Sequence, residues 1–564
     1  MPYTPPIEEQ KFVLRHVVGI EELGGGNAFP DATLDTVDAI VEGAGDFAAG
    51  EWAPLNRTGD TVGAKWSADG VTMPEGFHAA YRAYVEGGWG AIAAPASHGG
   101  MGLPQVLATV VLEDLGSANM GFSLCPMLSA GAIEALKHHG TAEQQDRWLP
   151  KLISGEWTGT MNLTEPQAGS DVGALKSRAE PIGNGLYRIK GQKIFITYGD
   201  HDLTDNIVHL VLARLPDAPP GTKGISLFLV PKVRADGAAN DARCVSIEHK
   251  LGIHASPTCV MAFGDNDDCE GELIGREGGG MAAMFTMMNN ARMNVGLQGV
   301  SIAEAATQQA VDYARTRIQG SREGKPAAII EFPDLRRMLL RMKALTQGAR
   351  ALTYYMAGQV DRASLGDETA AARAQLLTPL VKAWGTDVGC EVASLGVQIH
   401  GGMGFIEETG AAQYYRDARI APIYEGTNGI QAADLVGRKL GLQGGEPLRS
   451  LLADIRAKAS MEIGALVDVI EEVAAWMDGA SGDDRLAGSY PLLTMLSVAT
   501  AGWLLDRQAA AIEASDASPE FRAAKVAAAA YLRTVVAGEA AGLKAAATMG
   551  DGLARALSVE TFAA

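Results

Sequence analysis

Hydrophobic and polar positions divide the chain into four stretches of different character. From residue 1 to residue 156, apolar positions recur at the spacing of amphipathic helices. From 157 to 278, strand-length runs rich in β-branched residues follow one another, and from 279 to 441 the helical spacing returns. A break precedes a last helical stretch, from 447 to 564. The pattern predicts a multidomain α+β protein with an N-terminal helical domain, a middle antiparallel β-domain, a C-terminal helical bundle and an additional helical domain.

Individual elements can be placed within these stretches. In the middle stretch, runs of β-forming residues separated by turn signals predict strands at 187–197, 206–215, 225–233, 244–249 and 258–263. In the last stretch, Ser518 followed by Pro519 is typical of a helix start, because serine caps the first N–H groups and proline fits the first turn. That stretch contains no recognisable chemistry, so we expect it to pack or to oligomerise.

Charge and cysteine content narrow the class of protein. The chain of 564 residues has a formal net charge of -20, whereas nucleic acids and anionic membranes require clustered lysine and arginine. The five cysteines are scattered and form no C-x-x-C pair, which argues against a disulfide framework or a structural metal site. No apolar run is long enough to span a bilayer. We therefore expect a cytoplasmic protein that binds no nucleic acid, inserts into no membrane and holds no metal.

A methionine stripe marks the start of the third stretch. Met281, Met284, Met287 and Met288 recur at helical spacing and share one face of the predicted helix. Flexible, polarisable methionines fill irregular gaps in a core, and they also line promiscuous ligand walls. The pattern favours core packing and leaves a ligand wall as the alternative.

Two motifs carry the candidate chemistry. Ile-Tyr-Glu-Gly-Thr at 423–427 follows Gln-Ile-His-Gly-Gly-Met-Gly at 398–404, and it places one carboxylate beside glycines that allow close approach to the backbone. Leu-Thr-Glu-Pro-Gln-Ala-Gly-Ser-Asp stands far upstream at 163–171. Both segments, with 163–171 upstream of 398–427, resemble signatures of the acyl-CoA dehydrogenases, a family of flavoproteins. The resemblance extends from about residue 80 to about residue 440 and implies FAD as the cofactor.

The resemblance assigns the middle stretch to the flavin ring. Thr164 would meet the pyrimidine edge and Thr197 would meet N5, while Phe195 stands where many relatives have tryptophan. The residues implied to hold the ring are Leu163, Thr164, Phe195, Ile196 and Thr197. By themselves, Glu165-Pro166 and the Ala-Gly-Ser-Asp segment at 168–171 are also ordinary turn sequences.

The third stretch would hold the adenylate half of the cofactor across a subunit boundary. The implied residues are Arg317, Gln398, Gly401, Gly402 and Thr427. Arg315 is the alternative to Arg317, a further alternative is that both arginines are surface charges, and the paired glycines also fit a simple helix C-cap. Gly429 stands where many relatives have glutamine. A shared cofactor site implies a homodimer or homotetramer.

The resemblance also assigns the substrate site and the base. Glu425 would remove the α-proton while hydride passes to flavin N5, and the alternative is a solvated loop acid. The residues implied to contact the acyl-CoA are Ser170, Arg292, Tyr424 and Gly426. Arg292 is expected at the start of a long helix. Ala291 cannot act as a base, which excludes the variant of the family that places its base at that position.

Additions at both ends resemble the long bacterial subgroup of the family that includes the 3-methylthiopropionyl-CoA dehydrogenases. This implies α,β-dehydrogenation of a short- or medium-chain acyl-CoA in fatty acid metabolism, with 3-methylthiopropionyl-CoA as one candidate and electron-transfer flavoprotein as the acceptor. Two alternatives stay open: an acyl-CoA oxidase that uses dioxygen, and a non-catalytic flavin-binding relative of stress responses.

Overall fold

A computed structural model describes residues 3–24 and 28–563, and these form two compact units. One unit joins residues 3–42 to residues 292–563, and the other spans residues 43–291. The predicted order of helices, sheet, helices and further helices is observed along the chain. Within the described ranges, no helix combines the length and the apolar character needed to cross a membrane. The boundaries of the four domains stay a prediction.

The helices before the sheet have clear local signals. In chain order they are α1 (Ile7–Val13), α2 (Ile20–Gly24), α3 (Leu34–Phe47), α4 (Asn56–Val62), α5 (Phe77–Glu86), α6 (Gln105–Ala118), α7 (Met120–His139) and α8 (Ala142–Ser154). Thr141 and Gln144 cap the start of α8 reciprocally, and Gly155 ends it with a φ of 80°. A small hairpin of β1 (Lys65–Ser67) and β2 (Gly70–Thr72) follows α4 and was not predicted.

The sheet lies in the unit that spans residues 43–291. Its strands are β3 (Thr158–Asn162), β4 (Arg178–Gly183), β5 (Leu186–Thr197), β6 (Ile207–Arg214), β7 (Ile225–Pro231), β8 (Ala242–Ile247), β9 (Thr258–Phe263) and β10 (Glu270–Ile274). The strand order is β10-β7-β6-β4-β5-β9-β8, and β10 also pairs with β5. Most pairs are antiparallel as predicted, but β3 runs parallel to β6, and β4 meets β6 in parallel. The predicted strands correspond to β5 through β9.

The helices after the sheet pack closely where glycines face each other. They are α9 (Gly280–Thr316), α10 (Pro333–Ser364), α11 (Glu368–His400), α12 (Ala411–Ala418) and α13 (Asn428–Asp434), with a hairpin of β11 (Ile318–Arg322) and β12 (Lys325–Ala328) after α9. A methyl group on Gly296 of α9 would lie 2.5 Å from the carbonyl oxygen of Val381 on α11, and one on Gly299 would lie 1.9 Å from that of Gly385. The two backbones are therefore in contact.

One of the last helices, α16 (Gly482–Glu513), packs against α10, α11 and α13. The last helices are α14 (Glu446–Lys458), α15 (Met461–Gly479), α16 (Gly482–Glu513), α17 (Pro519–Tyr531), α18 (Ala537–Ala541), α19 (Lys544–Ala547), α20 (Gly550–Ala554) and α21 (Val559–Phe562). The predicted cap of α17 is confirmed, because Ser518 Oγ accepts from the N–H of Phe521 at 3.2 Å. Lys525 of α17 forms a buried ion pair with Glu9 of α1 at 2.6 Å.

Two of the four methionines in the stripe lie in the core. Met284 and Met287 are fully buried, and a methyl group on Gly131 of α7 would lie 3.0 Å from Met287. The core-packing interpretation therefore holds for these two residues.

Candidate active site

The loop that carries Glu425 joins α12 to α13. Its backbone is left-handed at Glu425, with a φ of 56°, and at Gly426, with a φ of 85°. Glycine adopts this conformation freely, whereas a glutamate there costs roughly 1–2 kcal/mol. The N–H of Asn428 donates to the carbonyl oxygen of Pro422 at 2.9 Å and closes the loop. Strained backbone at a non-glycine residue is typical of functional sites.

The carboxyl group of Glu425 is adapted to exchange a proton near neutral pH. The residue is half-buried. Burial raises the pKa of Glu425 to about 7, although the positive charges of Arg292 and Lys382 oppose the shift. Both protonation states are therefore accessible at pH 7, which suits a general base.

Arg292 lies beside Gly426 in the interior of the bundle. It stands on α9 well after the start of that helix at Gly280, not at the helix start that we expected. Its side chain is buried, its Nη1 lies 3.9 Å from Asp434 Oδ2, and a methyl group on Gly426 would lie 3.7 Å from its Nη2. Within the described chain its Nε has no partner, and burial lowers its pKa. The spare donor can meet a polar ligand group.

Gln431 and Lys382 complete the site and were not predicted. Gln431 is fully buried, and among described residues neither its Oε1 nor its Nε2 has a hydrogen-bond partner. Its Nε2 would lie 2.9 Å from a methyl group on Gly426, so the amide is next to the loop of Glu425. An unpaired buried amide costs roughly 1–3 kcal/mol, which a bound ligand would recover. One feature of the sequence could have identified Lys382: it is a lone cation in an apolar helical stretch.

Tyr424 and Thr427 both make contacts inside the protein. The hydroxyl of Tyr424 donates to Oε1 of Gln298 on α9. Thr427 Oγ1 accepts from the N–H of Ile430 at 3.2 Å and so caps α13. Thr427 is nevertheless exposed, and its O–H can still donate to a ligand.

Phe195 lies near the C-terminal end of β5 and is exposed. The register between β5 and β9 shifts between Lys193 and Ile196, and within this irregularity Phe195 has a φ of 61° and a side chain that is 58% exposed. The N–H of Ile194 donates to the carbonyl oxygen of Thr164 at 2.9 Å. This bond ties the loop after β3 to the end of β5. The structure thus brings together, at the ends of β3 and β5, the predicted ring-binding residues: Leu163, Thr164, Phe195, Ile196 and Thr197.

Glu165 anchors the same loop through a buried ion pair. Its Oε1 accepts from Lys193 Nζ at 2.8 Å and from Ser177 Oγ at 2.6 Å, and its Oε2 accepts from the N–H of Lys176 at 2.6 Å. Burial alone would raise the pKa of Glu165, but the ammonium of Lys193 and these hydrogen bonds hold it down at about 2. Burial lowers the pKa of Lys193 to about 8. Ser170, on the loop itself, is exposed.

The C-terminal ends of α9 and α11 meet at one end of the bundle. The ring of Tyr313 stacks on that of His400 with centroids 4.4 Å apart. Gly401 ends α11 with a φ of 60°, and a methyl group there or on Gly402 would meet nothing within 4 Å. Phe405, which follows these glycines closely in the chain, is 87% exposed. The predicted adenylate residues are exposed at these helix ends: Arg317, Gln398, Gly401 and Gly402.

Comparison with known families accounts for almost the whole chain. The models described as acyl-CoA dehydrogenase N-terminal, middle and C-terminal domain match residues 35–156, 160–266 and 278–440. A further model, described as acetyl-CoA dehydrogenase C-terminal like, matches residues 431–558 and includes most of the added helices.

Individual relatives agree with the family models. A 3-methylmercaptopropionyl-CoA dehydrogenase of Ruegeria pomeroyi is 47% identical over 93% of this chain and 95% of its own. A broad-specificity linear acyl-CoA dehydrogenase of Mycobacterium tuberculosis is 33% identical over 91% of both chains. The solved structure of an acyl-CoA dehydrogenase from Bacillus anthracis, complexed with FAD, shares the fold with a TM-score of 0.74 at 23% identity, covering 94% of this chain and 90% of its own. The chain therefore belongs to the acyl-CoA dehydrogenase family.

Proposed function

We propose that this chain is an FAD-dependent enzyme that converts a short- or medium-chain acyl-CoA to its 2,3-enoyl-CoA, with Glu425 as the base for the α-proton. The observation that carries the proposal is the half-buried carboxyl of Glu425, with its pKa near 7, on the left-handed loop that it forms with Gly426 beside Arg292 and Gln431. The candidate substrate is 3-methylthiopropionyl-CoA, the thioester after which the Ruegeria pomeroyi relative is named.

The C-terminal end of β5 suits a flavin ring. Such a ring is flat and needs one covered face, together with hydrogen bonds at its pyrimidine edge and N5. Phe195 offers an exposed aromatic face, and the hydroxyls of Thr164 and Thr197 offer hydrogen bonds. When bound, FAD would supply the acceptor for the β-hydrogen, which leaves the substrate as a hydride.

The exposed ends of α9 and α11 suit the adenylate half of a cofactor held by a second copy of the chain. Gly401 and Gly402 leave open space above the backbone, and the guanidinium of Arg317 matches phosphate geometry. On this basis the enzyme is a homodimer or homotetramer. Electron-transfer flavoprotein is the acceptor that we propose for the reduced enzyme.

The residues around Glu425 have separable tasks. The α-proton is weakly acidic, so negative charge that develops on the thioester oxygen must be stabilised by preorganised donors. Among the described residues, the N–H groups of Glu425 and Gly426 are not engaged by other backbone carbonyls and can serve as donors. Arg292 would hold the CoA portion with its spare N–H, and Ser170 would contact it from the loop after β3. Proton uptake leaves Glu425 neutral, which its poorly solvated position favours.

Turnover with a panel of thioesters tests the substrate. We expect 3-methylthiopropionyl-CoA and butyryl-CoA to give higher kcat/KM than long-chain thioesters when electron-transfer flavoprotein accepts the electrons. The product should be the 2,3-enoyl-CoA. A preference for long acyl chains would refute the substrate assignment, and stoichiometric hydrogen peroxide without added acceptor would identify the oxidase alternative.

The rate of the reductive half-reaction should depend on pH through Glu425. The base acts only when it is ionised, and its pKa is raised from its ordinary value to about 7. The rate should therefore rise with pH and level off above about pH 7. Below pH 7 it should fall about tenfold for each pH unit, and this falling part is the acid limb of the profile. Stopped-flow measurement of flavin bleaching between about pH 5.5 and pH 9 checks this, and a flat profile would contradict it.

Gln431→Leu should weaken ligand binding without loss of stability. The unpaired amide is a cost in the free protein, so an apolar side chain of similar volume should be neutral or stabilising. If the amide pairs with bound acyl-CoA, KM should rise roughly tenfold, since one such hydrogen bond is worth about 1–1.5 kcal/mol. Thermal melting and steady-state kinetics measure the two effects, and an unchanged KM would remove Gln431 from the site.

A further inference from the structure

Lys382 is a buried cation that none of the motifs includes. It lies on α11, its side chain has no exposed surface, and its Nζ donates to the neutral Oδ1 of Asn428 at 2.9 Å. A buried ammonium with a neutral partner is unfavourable unless nearby negative charges offset its desolvation. Burial lowers the pKa of Lys382, the carboxylates of Glu425 and Asp387 oppose this shift and favour the charged ammonium, and Arg292 adds to the lowering.

The amide of Asn428 is held in one orientation. Its Nδ2 faces acceptors, namely Asp387 Oδ1 at 2.9 Å and the carbonyl oxygen of Ala383 at 3.1 Å. A flipped amide would set donors against the ammonium of Lys382 and an oxygen against the carboxylate of Asp387. Because Asn428 also closes the loop of Glu425 through its bond to Pro422, it fixes Lys382 relative to that loop.

Tyr490 extends this network into the added helices. It lies on α16, its hydroxyl donates to Asp387 Oδ2 at 2.6 Å, and Asn428 Nδ2 lies 3.3 Å from the same hydroxyl. Burial raises the pKa of Asp387, and Tyr490, Asn428, Lys382 and Arg419 oppose that shift. The hydroxyl of Tyr490 thus favours the ionised form of the carboxylate that in turn supports the charge on Lys382. The helices beyond residue 446 therefore supply a side chain to the surroundings of Glu425.

We propose that Lys382 is a positioning residue that keeps the carboxylate of Glu425 ionised, and that Tyr490 of the added helices holds Lys382 in place through Asp387 and Asn428. The proposal rests on the proposed function in taking Glu425 as the base. Lys382 acts through its charge and has no contact with the reacting atoms. Beside a positive Lys382, Glu425 releases its proton at a lower pH than it would beside a neutral side chain.

Lys382→Met tests this directly, because methionine keeps an unbranched side chain and removes the charge. The acid limb of flavin reduction should move up by about one pH unit. The rate at pH 6.5 should fall roughly tenfold and recover at high pH. Tyr490→Phe should move the limb in the same direction by a smaller amount, since it weakens the support for Asp387 without removing a charge.

Two matched controls separate charge from packing. Lys458→Met removes the charge of an exposed lysine of the added helices, on α14, and Tyr531→Phe removes another tyrosine hydroxyl of those helices; both should leave the limb in place. A limb that stays at its wild-type position in Lys382→Met, or a rate loss by the same factor at every pH, would overturn the proposal. If Lys382→Met does not fold, an unshifted limb in folded Tyr490→Phe overturns it.

A readout without turnover distinguishes this proposal from the proposed function. Infrared titration of the Glu425 carboxyl, assigned by its loss in Glu425→Gln, should show the same upward shift in Lys382→Met. If no acyl-CoA is oxidised but the titration shifts, the proposed reaction fails and the Lys382–Glu425 interaction stands. If the titration does not shift, the interaction fails whatever the reaction is.

Discussion

Glu425→Gln should retain FAD and acyl-CoA binding and lose flavin reduction. Glutamine has nearly the same size and can keep the left-handed backbone as well as glutamate does, but its amide cannot take up the α-proton. Loss of a positioned general base lowers a rate by roughly 10²–10⁴-fold, and we expect the upper end because, within the described chain, the charges that act on Glu425 are the cations Arg292 and Lys382. Single-turnover bleaching of the flavin band measures the effect.

Glu408→Gln is the matched control for this change. Glu408 is exposed and lies in the same part of the chain, before α12, so the reduction rate should equal that of the wild type. Binding of FAD and of a non-oxidisable CoA thioether should be unchanged in both variants. Near-normal bleaching in Glu425→Gln would remove Glu425 from the role of base.

Among the single substitutions proposed for this protein, Glu165→Gln should lower the free energy of unfolding the most. The change leaves Lys193 buried without its counter-ion, and breaking a buried pair on one side costs about 3–5 kcal/mol. The loop from Leu163 to Ser177 should loosen, because Glu165 also accepts hydrogen bonds from the N–H groups of Lys176 and Ser177. Urea unfolding, followed by a spectroscopic probe placed in the β-sheet, measures the loss of stability. Hydrogen exchange of the Lys176 and Ser177 amides measures the loosening of the loop.

The double variant Glu165→Gln/Lys193→Met should be more stable than Glu165→Gln, since it leaves no unpaired buried charge. The pH dependence has a defined sign. The folded pKa of Glu165 lies at about 2, below its unfolded value, so the pair's contribution is complete above about pH 5 and decreases as pH falls toward 2. An unfolding midpoint of Glu165→Gln equal to that of the wild type would contradict the anchoring role.

The sequence predicted elements whose signals are local. The cap at Ser518 and the alternation of 187–197 are of this kind, and both appear as α17 and β5. The strands β3 and β4 were missed because Thr158–Asn162 is buried at every position and shows no alternation, and because Arg178–Gly183 contains proline. Parallel pairing of β3 with β6 joins distant residues and has no local signal.

Residues of the site could be predicted from the sequence only where they belong to a recognisable motif. Glu425 stands out because glycine and threonine follow it, whereas its positive φ depends on bonds such as that of Asn428 to Pro422. The link from Lys382 to Tyr490 joins α11 to α16 through Asn428 and Asp387, and no sequence spacing indicates it. The assignments of Arg317, Gln398 and Ser170 to ligands stay predictions that binding experiments must test.

The central claim is that this chain removes the α-proton and the β-hydrogen of an acyl-CoA. Anaerobic addition of one equivalent of 3-methylthiopropionyl-CoA to the FAD-loaded protein tests it most directly, with the visible spectrum and the CoA product followed together. We predict that the flavin band bleaches and that one equivalent of the 2,3-enoyl-CoA forms. A protein that takes up no FAD, or a flavin band that no short- or medium-chain acyl-CoA bleaches, would contradict the account.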